Sequence, residues 1–319
     1  MIPAHLPPPV GPGDRVGVAA LSGPIDPGRL ERGLAALAGL GFEPVPARNL
    51  ASRHGFFAGS DAERLAAFHE LAADPGIAAI FFARGGHGLL RVLPAIDWQL
   101  LARRPRAYVG YSDLTPFLIE VVRRLGLVAF HGPMAAADLA RGLSPEDEAS
   151  LLGALAGDFS DPRVGEIPLG GWIRPPRPGT GRNGPGAPRP GAAGPLAGGC
   201  LSMLTAVLGT PFAPDLAGSL LFLEDVNEPP YRVDRMLTHL GLSGTLTGIQ
   251  GMIVGHLDSG NGGAAADWQA VVGAAVADFP WPVAWGLPSG HWAPNRTLPL
   301  GLPARLDGEA PRLVLGEGL

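Results

Sequence analysis

Three residues that could act together as a nucleophilic catalyst follow apolar segments of this sequence. Ser112 lies in the segment Gly-Tyr-Ser-Asp, Glu224 ends the run SLLFLE, and His291 follows Gly-Leu-Pro-Ser-Gly. A serine hydroxyl is a weak nucleophile unless a neighbouring base takes its proton. That base needs a third group to hold its tautomer and stabilise its positive charge. A serine, a histidine and a carboxylate can supply these three roles.

Each of these residues also has a simpler interpretation. A Ser-Asp pair after a strand commonly caps a helix, and the hydrolase pattern G-x-S-x-G is incomplete because Leu114 stands at its second glycine position. A loop histidine is commonly just exposed. Asp225 competes with Glu224, because side chains alternate along a strand and only one of the two can face a given site. The residues alone leave this choice open.

A glycine pair in Arg84-Gly-Gly-His-Gly could bring backbone N–H groups close to a developing oxyanion. The sequence contains no phosphate-binding loop pattern, and without any lysine it cannot form a Schiff base with pyridoxal phosphate. Its eight histidines show no H-E-x-x-H pattern and no tight cluster with carboxylates. We therefore expect neither a metal nor another cofactor.

Composition and charge restrict the partners and the compartment. With 319 residues, 46% of them hydrophobic, the chain can bury a large core. Its net charge of -5 and the absence of basic runs argue against a nucleic-acid partner. No apolar run approaches the roughly 20 residues of a membrane span. Residues 1–12 lack a secretory signal, and Cys200 is the single cysteine, so we expect a cytoplasmic protein.

Short apolar strands alternate with helices along the chain, which predicts a parallel sheet covered on both faces, with its site at the carboxyl ends of the strands. The predicted strands cover 15–21, 77–83, 107–109, 127–130, 219–223, 251–254 and 283–286. The predicted helices cover 29–39, 62–73, 116–124, 200–208 and 231–240. The second half is expected to be a smaller α/β unit with shorter strands.

A proline- and glycine-rich stretch from Arg174 to Pro195 separates the two halves. This stretch lacks the apolar residues that would order it, so it is interpreted as a mobile loop or linker. We predict an N-terminal domain at 1–165, a linker loop at 166–195 and a C-terminal domain at 196–319. The first domain would carry Ser112, and the last would carry the histidine and the carboxylate.

Seven segments occur in an order that matches a known family. They are FFARGGHGLLRVLPAID, YVGYSDLTPFLI, LVAFHGPM, GGCLSMLTAVLGTPF, LLFLEDVNEPPYRVDRMLTHL, GMIVGH and WGLPSGHWAPNRTLPLG. Together they resemble the LD-carboxypeptidase family of serine peptidases, which includes the microcin C immunity peptidases. The resemblance implies that Ser112 is the nucleophile, His291 the base and Glu224, rather than Asp225, the triad carboxylate. It also implies an oxyanion hole.

The backbone N–H groups of Asp113 and Gly86 would form that oxyanion hole. The resemblance further implies an α/β fold with a flavodoxin-like N-terminal domain, a smaller swivelling C-terminal α/β domain and a homodimer. The implied substrate is a murein tetrapeptide, cut between its diamino acid and the terminal D-Ala. Arg84 or Arg232 could bind the free carboxylate of this peptide, with Arg235 as a further candidate.

Two other functions stay open. A peptidase acting on aminoacyl-nucleotide antibiotics of the microcin C type would need a surface on which a base can stack, and Trp172 is a candidate. A non-catalytic protein that binds a ligand with the same fold is the third possibility. The sequence also departs from the family pattern at His87, where tyrosine is common, at Cys200, where asparagine is common, and at Asn227, where glycine is common.

Overall fold

The computed structural model describes residues 4–176, 191–260, 267–307 and 311–316, which form fourteen strands and ten α-helices in two sheet-based units. The strands are β1 (Arg15–Ala19), β2 (Glu43–Pro46), β3 (Ile77–Phe82), β4 (Ala107–Gly110), β5 (Ala129–His131), β6 (Glu166–Pro168), β7 (Gly171–Arg174), β8 (Ala193–Cys200), β9 (Leu220–Asp225), β10 (Gly251–Leu257), β11 (Val283–Trp285), β12 (Leu298–Leu300), β13 (Pro303–Leu306) and β14 (Arg312–Leu315). The helices are α1 (Pro27–Gly39), α2 (Asp61–Ala73), α3 (Leu89–Val92), α4 (Trp98–Arg103), α5 (Thr115–Leu125), α6 (Pro145–Ala156), α7 (Pro162–Gly165), α8 (Leu201–Ala206), α9 (Pro230–Leu242) and α10 (Trp268–Ala275).

The first sheet has the strand order β2-β1-β3-β4-β5-β12, and its first five strands are parallel. These strands are almost continuously apolar because helices cover both faces; the run IAAIFF of β3, for example, is buried nearly throughout. The order 2-1-3-4-5 is that of flavodoxin-like sheets. The predicted parallel sheet of the N-terminal unit is therefore confirmed, with an added antiparallel edge at β12.

The second sheet has the order β6-β14-β13-β8-β9-β10-β11-β7. Its centre, β8 to β11, is parallel, and antiparallel strands flank it on both sides. The expectation of shorter strands in this half is wrong. At eight and seven residues, β8 and β10 exceed the six residues of β3, the longest strand described in the first sheet.

Parts of the predicted linker at 166–195 are ordered strands. β6 buries Ile167 in the core and pairs with β14, and β7 pairs with β11 at the opposite edge. Arg174 on β7 donates hydrogen bonds to the carbonyl oxygens of Trp281, Val276 and Ala277. Pairing at the two edges of the second sheet thus orders the first part of the stretch despite its composition. The last part, from Ala193, begins the central strand β8, and residues 177–190 lie outside the described residues.

The predicted domain limits at 165 and 196 stay a prediction, as does the swivelling of the C-terminal domain. The chain after residue 196 contributes to both sheets, because β12 returns to pair with β5 of the first sheet. None of the described helices is long and apolar enough to cross a membrane.

A close contact joins the two sheets beside the start of α5. The hydroxyl oxygen of Thr115, the first residue of α5, accepts a hydrogen bond of 3.1 Å from the backbone N–H of Cys200. Gly199 has a φ of +132°, and a Cβ there would lie 2.9 Å from the Thr115 side chain. Only glycine permits this approach without strain. The contact brings the carboxyl ends of β8 and β9 close to the turn between β4 and α5, which contains Ser112.

Candidate active site

Ser112 lies in a sharp turn between β4 and α5. Its φ is +64°, in the left-handed region that residues other than glycine rarely adopt and that costs about 1–3 kcal/mol. Strain of this kind persists where the surrounding structure fixes it, commonly at functional sites. The turn directs the Ser112 hydroxyl into the cleft at the carboxyl edge of the first sheet, next to the backbone N–H of Asp113. This is the strand-turn-helix context that the sequence predicts.

Glu224 and Asp225 end β9 and point in different directions. Glu224 is fully buried, and its Oε2 lies 2.6 Å from His291 Nδ1. Asp225 instead accepts hydrogen bonds from the backbone N–H groups of Ser202, at 2.6 Å, and Val226, at 2.8 Å. Alternation along the strand therefore assigns Glu224 to the histidine and Asp225 to the start of α8.

His291 is held by a turn that Asn295 closes. The side-chain oxygen of Asn295 accepts hydrogen bonds from the Gly290 N–H, at 3.1 Å, and from the Ser289 hydroxyl, at 3.3 Å. Gly290 has a φ of +131°, and a Cβ on it would lie 2.8 Å from Glu224 Oε2. The turn therefore needs glycine to bring the backbone this close to the carboxylate.

The structure brings the three predicted residues together. Ser112 Oγ lies 3.0 Å from His291 Nε2, and His291 Nδ1 lies 2.6 Å from Glu224. A neutral imidazole with its proton on Nδ1 can donate to Glu224 and accept the Ser112 proton at Nε2. The arrangement is a hydrogen-bonded chain from a hydroxyl through an imidazole to a carboxylate, which is the geometry that activates a serine.

Burial and charge act against each other on His291. Burial lowers the pKa of His291, but the Glu224 carboxylate raises it by its charge and its hydrogen bond, and the net pKa lies above 6.5. Burial raises the pKa of Glu224, whereas the charge of His291 lowers it. The site thus favours a positive charge on the imidazole, the charge that develops when the histidine takes a proton from serine.

The glycine loop after β3 lies directly against Ser112. A Cβ on Gly85 would lie 2.8 Å from Ser112 Cβ and 2.9 Å from its Oγ. The Gly85 carbonyl accepts a hydrogen bond from the Gly23 N–H at 3.1 Å. The N–H of Gly86 belongs to the same trans peptide, so it points away from Gly23.

Two buried side chains fix the far end of this glycine loop. The Asp113 carboxylate accepts a hydrogen bond of 2.9 Å from the Leu89 N–H. The fully buried Arg64 donates to the carbonyl oxygen of Gly88, also at 2.9 Å. Asp113 therefore has a positioning contact that sequence reasoning missed, beyond the backbone N–H for which it was selected. The spacing between the two segments gives no signal of it.

A cleft of about 470 Å³ opens at Ser112 and His291. Arg84 lines it, as does Arg29, which sequence reasoning missed because it reads as an ordinary helix residue. Asp26, whose side chain caps α1, lines the same wall. The cleft beside the serine is therefore lined by two arginines and one aspartate, and the Arg84 guanidinium also donates to the Pro24 carbonyl oxygen at 2.9 Å.

The structure does not bring Arg232 into this cleft. Arg232 lies on α9, where its guanidinium pairs with Glu228 at 3.1 Å. It lines a separate surface depression between α8 and α9, together with Arg235. The direction of a side chain on a helix depends on its register against the neighbouring helix, which the sequence did not reveal.

The three departures from the family pattern have different surroundings. His87 is exposed, and its ring packs near Phe57 with 5.7 Å between the ring centroids. Cys200 is buried, with its Sγ 3.2 Å from the Ser202 hydroxyl. Asn227 has a φ of +59°, in the left-handed region that glycine adopts most readily, which explains why glycine is common there. Asparagine tolerates this region better than most other residues.

A second cavity, of about 310 Å³, is lined in part by aromatic side chains. Trp268, Trp285 and Trp292 line it, and Trp292 directly follows His291. Trp172, which the sequence suggested for stacking, instead lies on β7 opposite Ala284 and does not line this cavity. Within the described ranges, no group of three or more His, Cys, Asp or Glu side chains could hold a metal ion.

Comparison with known families agrees with the fold. Residues 16–132 match the LD-carboxypeptidase N-terminal domain, and residues 193–306 match the LD-carboxypeptidase C-terminal domain. The chain belongs to the LD-carboxypeptidase family, whose members are serine peptidases.

Individual relatives cover nearly the whole chain. A Bacillus subtilis protein named a probable murein peptide carboxypeptidase is 33% identical over 96% of this chain and 93% of its own. The solved muramoyltetrapeptide carboxypeptidase of Oxalobacter formigenes is 30% identical, with a TM-score of 0.78 over 95% of this chain and 99% of its own. The microcin C7 self-immunity protein MccF of Escherichia coli is 25% identical over 99% of this chain and 98% of its own. A solved MccF complex with aspartyl sulfamoyl adenosine shares the fold, with a TM-score of 0.82 at 24% identity over 98% of each chain.

Replacing Gly85 with alanine tests the contact between the glycine loop and the serine. The added Cβ would lie within 3 Å of the Ser112 side chain, so the serine must move. A misplacement of a reacting group by about 1 Å costs about 100-fold in reactivity. We expect Gly85→Ala to slow labelling of Ser112 by a fluorophosphonate probe by that factor, with the melting temperature little changed.

Gly28→Ala is the matched control. Gly28 lies in the first turn of α1, and a Cβ there would make only ordinary contacts, at 3.5 Å and beyond. Its labelling rate should equal that of the wild type. Equal labelling of the Gly85→Ala protein would contradict the described contact.

Proposed function

We propose that this protein is a serine-type LD-carboxypeptidase that releases the terminal D-Ala from murein tetrapeptides during peptidoglycan recycling. Ser112 is the nucleophile in this proposal, His291 the general base and Glu224 the residue that orients the histidine. The observation that carries it is the hydrogen-bonded chain from Ser112 Oγ to His291, at 3.0 Å, and on to Glu224, at 2.6 Å. The names of the murein carboxypeptidase relatives support the substrate.

The reaction begins when His291 Nε2 takes the hydroxyl proton of Ser112. The freed Oγ electron pair attacks the carbonyl carbon of the bond between the diamino acid and D-Ala. Glu224, which accepts from Nδ1–H, stabilises the resulting imidazolium. When the tetrahedral intermediate collapses, the C–N bond breaks and the imidazolium gives its proton to the amine of D-Ala.

An oxyanion hole and a water molecule complete the cycle. The backbone N–H groups of Asp113 and Gly86 are the proposed donors to the oxyanion, supported by the orientation of the Gly85–Gly86 peptide. Water then attacks the acyl-enzyme while His291 takes its proton. The ester bond to Ser112 breaks, the His291 imidazolium returns the proton to the Ser112 oxygen, and the shortened peptide leaves with a new carboxylate.

Arg84 is the proposed binding group for the carboxylate of D-Ala, and Arg29 is a second cation on the same cleft. A guanidinium can bind a carboxylate through two parallel hydrogen bonds, which orients the substrate as well as attracting it. A free carboxylate at the substrate end would thus be recognised beside Ser112. This would explain a preference for the last peptide bond over internal ones.

A peptidase that cleaves aminoacyl-nucleotide antibiotics is the second candidate. The observation that favours it is the cavity lined by Trp268, Trp285 and Trp292, because tryptophan faces bind a nucleobase by stacking. The chemistry at Ser112 would be unchanged, and only the leaving group would differ. A homodimer, a cytoplasmic location and the predicted domain limits stay part of the proposal.

Turnover of a defined muropeptide tests the proposed function. Purified wild-type protein should release D-Ala from a tetrapeptide ending in diaminopimelate-D-Ala, measured by chromatography of the free amino acid. Ser112→Ala should lower this rate by at least about 1,000-fold, because a serine hydrolase without its nucleophile retains only the contribution of binding and the oxyanion hole.

An aminoacyl sulfamoyl adenosine assayed in parallel separates the candidates. Nucleoside release without D-Ala release would favour the antibiotic-cleaving function. If neither product forms and a fluorophosphonate does not label Ser112, the protein is a non-catalytic ligand-binding member of the fold. Equal turnover by wild type and Ser112→Ala would refute Ser112 as the nucleophile.

Arg84 and Arg232 form a matched pair of variants for the carboxylate site. Arg84→Gln should raise KM for the tetrapeptide by about 10-fold or more, the contribution of a charged hydrogen bond, with a smaller change in kcat. Arg232→Gln should leave KM within about 2-fold of the wild-type value, because Arg232 lies outside the cleft that Ser112 and His291 line. A larger effect at Arg232 than at Arg84 would reverse the assignment.

A further inference from the structure

The imidazole of His291 is packed against an aromatic ring as well as hydrogen-bonded at both nitrogens. Tyr111, the residue before Ser112, meets it edge to face, with 5.0 Å between the ring centroids and 79° between the ring planes. The two hydrogen bonds of His291 are made at its two ring nitrogens. They therefore leave the ring free to tilt about the line that joins these nitrogens. The Tyr111 ring restricts this tilt.

A second buried carboxylate holds Tyr111 in turn. The Tyr111 hydroxyl donates to Asp138 Oδ1 at 3.3 Å, and both side chains are buried. Asp138 Oδ2 accepts from the Met134 N–H at 3.1 Å, and Oδ1 lies 2.6 Å from an Arg141 guanidinium nitrogen. Asp138 therefore ties the segment after β5 to the residue beside the nucleophile.

A buried carboxylate is costly unless hydrogen bonds satisfy its oxygens, so the groups around Asp138 must be placed to supply these bonds. Burial raises the pKa of Asp138, while the Met134 N–H and the charge of Arg141 lower it. A buried tyrosine hydroxyl needs a hydrogen-bond partner, and Asp138 supplies the one at Tyr111, which fixes the direction of its ring.

We propose that Asp138 is a positioning residue that, through the hydroxyl of Tyr111, holds the His291 ring in line with Ser112. This inference rests on the proposed role of His291. Asp138 touches neither the substrate nor the reacting atoms, and its effect passes through one aromatic ring.

The charges around His291 define what a change at Asp138 would do. Glu224, Asp225 and Asp138 all raise the pKa of His291, while its burial lowers it. Two further histidines, His131 and His256, interact with it by charge, and burial lowers the pKa of each. Removing the charge of Asp138 should therefore shift the acid limb of reactivity to lower pH, whereas removing the Tyr111 hydroxyl should not.

A double-mutant cycle tests the proposal, with the rate of Ser112 labelling by a fluorophosphonate as the readout. Tyr111→Phe should slow labelling at the pH plateau by about 3- to 10-fold, the effect of one positioning hydrogen bond. In the Asp138→Ala background the same change should have less than about a 2-fold effect, because the two groups act as one unit. Asp138→Asn, which keeps an acceptor, should restore part of the plateau rate and keep the shifted acid limb.

Glu120→Gln is the control, because Glu120 is an equally buried carboxylate whose partners are Arg123 and Arg124 on its own helix. It should change the melting temperature without moving the labelling rate or the acid limb. Unchanged labelling of Tyr111→Phe, or independent effects of the two changes, would overturn the proposal. If the Asp138 variants do not fold, the labelling rate of Tyr111→Phe alone tests the proposal.

Labelling needs an activated serine but no particular substrate, so an error in the proposed peptide leaves this test intact. Failure of the wild type to react at all would instead count against the proposed role of Ser112 and His291.

Discussion

The complete burial of the Glu224 carboxylate is the constraint on which the site depends. Taking an ionised carboxylate out of water costs several kcal/mol unless a charged or strongly donating partner compensates. His291 is the partner that the structure provides, at 2.6 Å. Gly290 is required for this approach, because a side chain there would strike the carboxylate. The same bond orients the imidazole, so its other nitrogen faces the hydroxyl of Ser112.

The three residues come from different parts of the chain, and the contact between the two sheets brings them together. Ser112 follows β4 of the first sheet, whereas Glu224 ends β9 of the second. The link is made where Gly199 meets Thr115, three residues after the nucleophile, and where the Cys200 N–H donates to the Thr115 hydroxyl. Since β8 and β9 are parallel neighbours, fixing the end of β8 also fixes Glu224.

Four strands of the N-terminal unit, β1, β3, β4 and β5, could be predicted from sequence, because each is an apolar run followed within a few residues by glycine, and the turn at Ser112 follows such a run. The edge strand β2, with the sequence EPVP, gives no such signal. The strand β8 could not be predicted either, since its sequence AGPLAGGC resembles a linker; it is ordered because glycine lets it approach β9, where a Cβ on Gly198 would lie 1.9 Å from the Phe222 carbonyl oxygen. The choice of Glu224 over Asp225 came from family resemblance. The direction of the Arg232 side chain depends on the register of α9, and the contact of Asp138 with Tyr111 depends on the path of the loop after β5. Neither feature produces a recognisable pattern in the local sequence.

A titration of the His291 imidazole by nuclear magnetic resonance, in wild type and in Glu224→Gln, tests the central claim most directly. The His291 signal is identified by its loss in His291→Gln. In the wild type its pKa should lie above 6.5, because Glu224 outweighs burial. In Glu224→Gln burial remains while the carboxylate charge is gone, so the pKa should fall below the wild-type value. The same pKa in both proteins would contradict a hydrogen-bonded charge pair between the two residues.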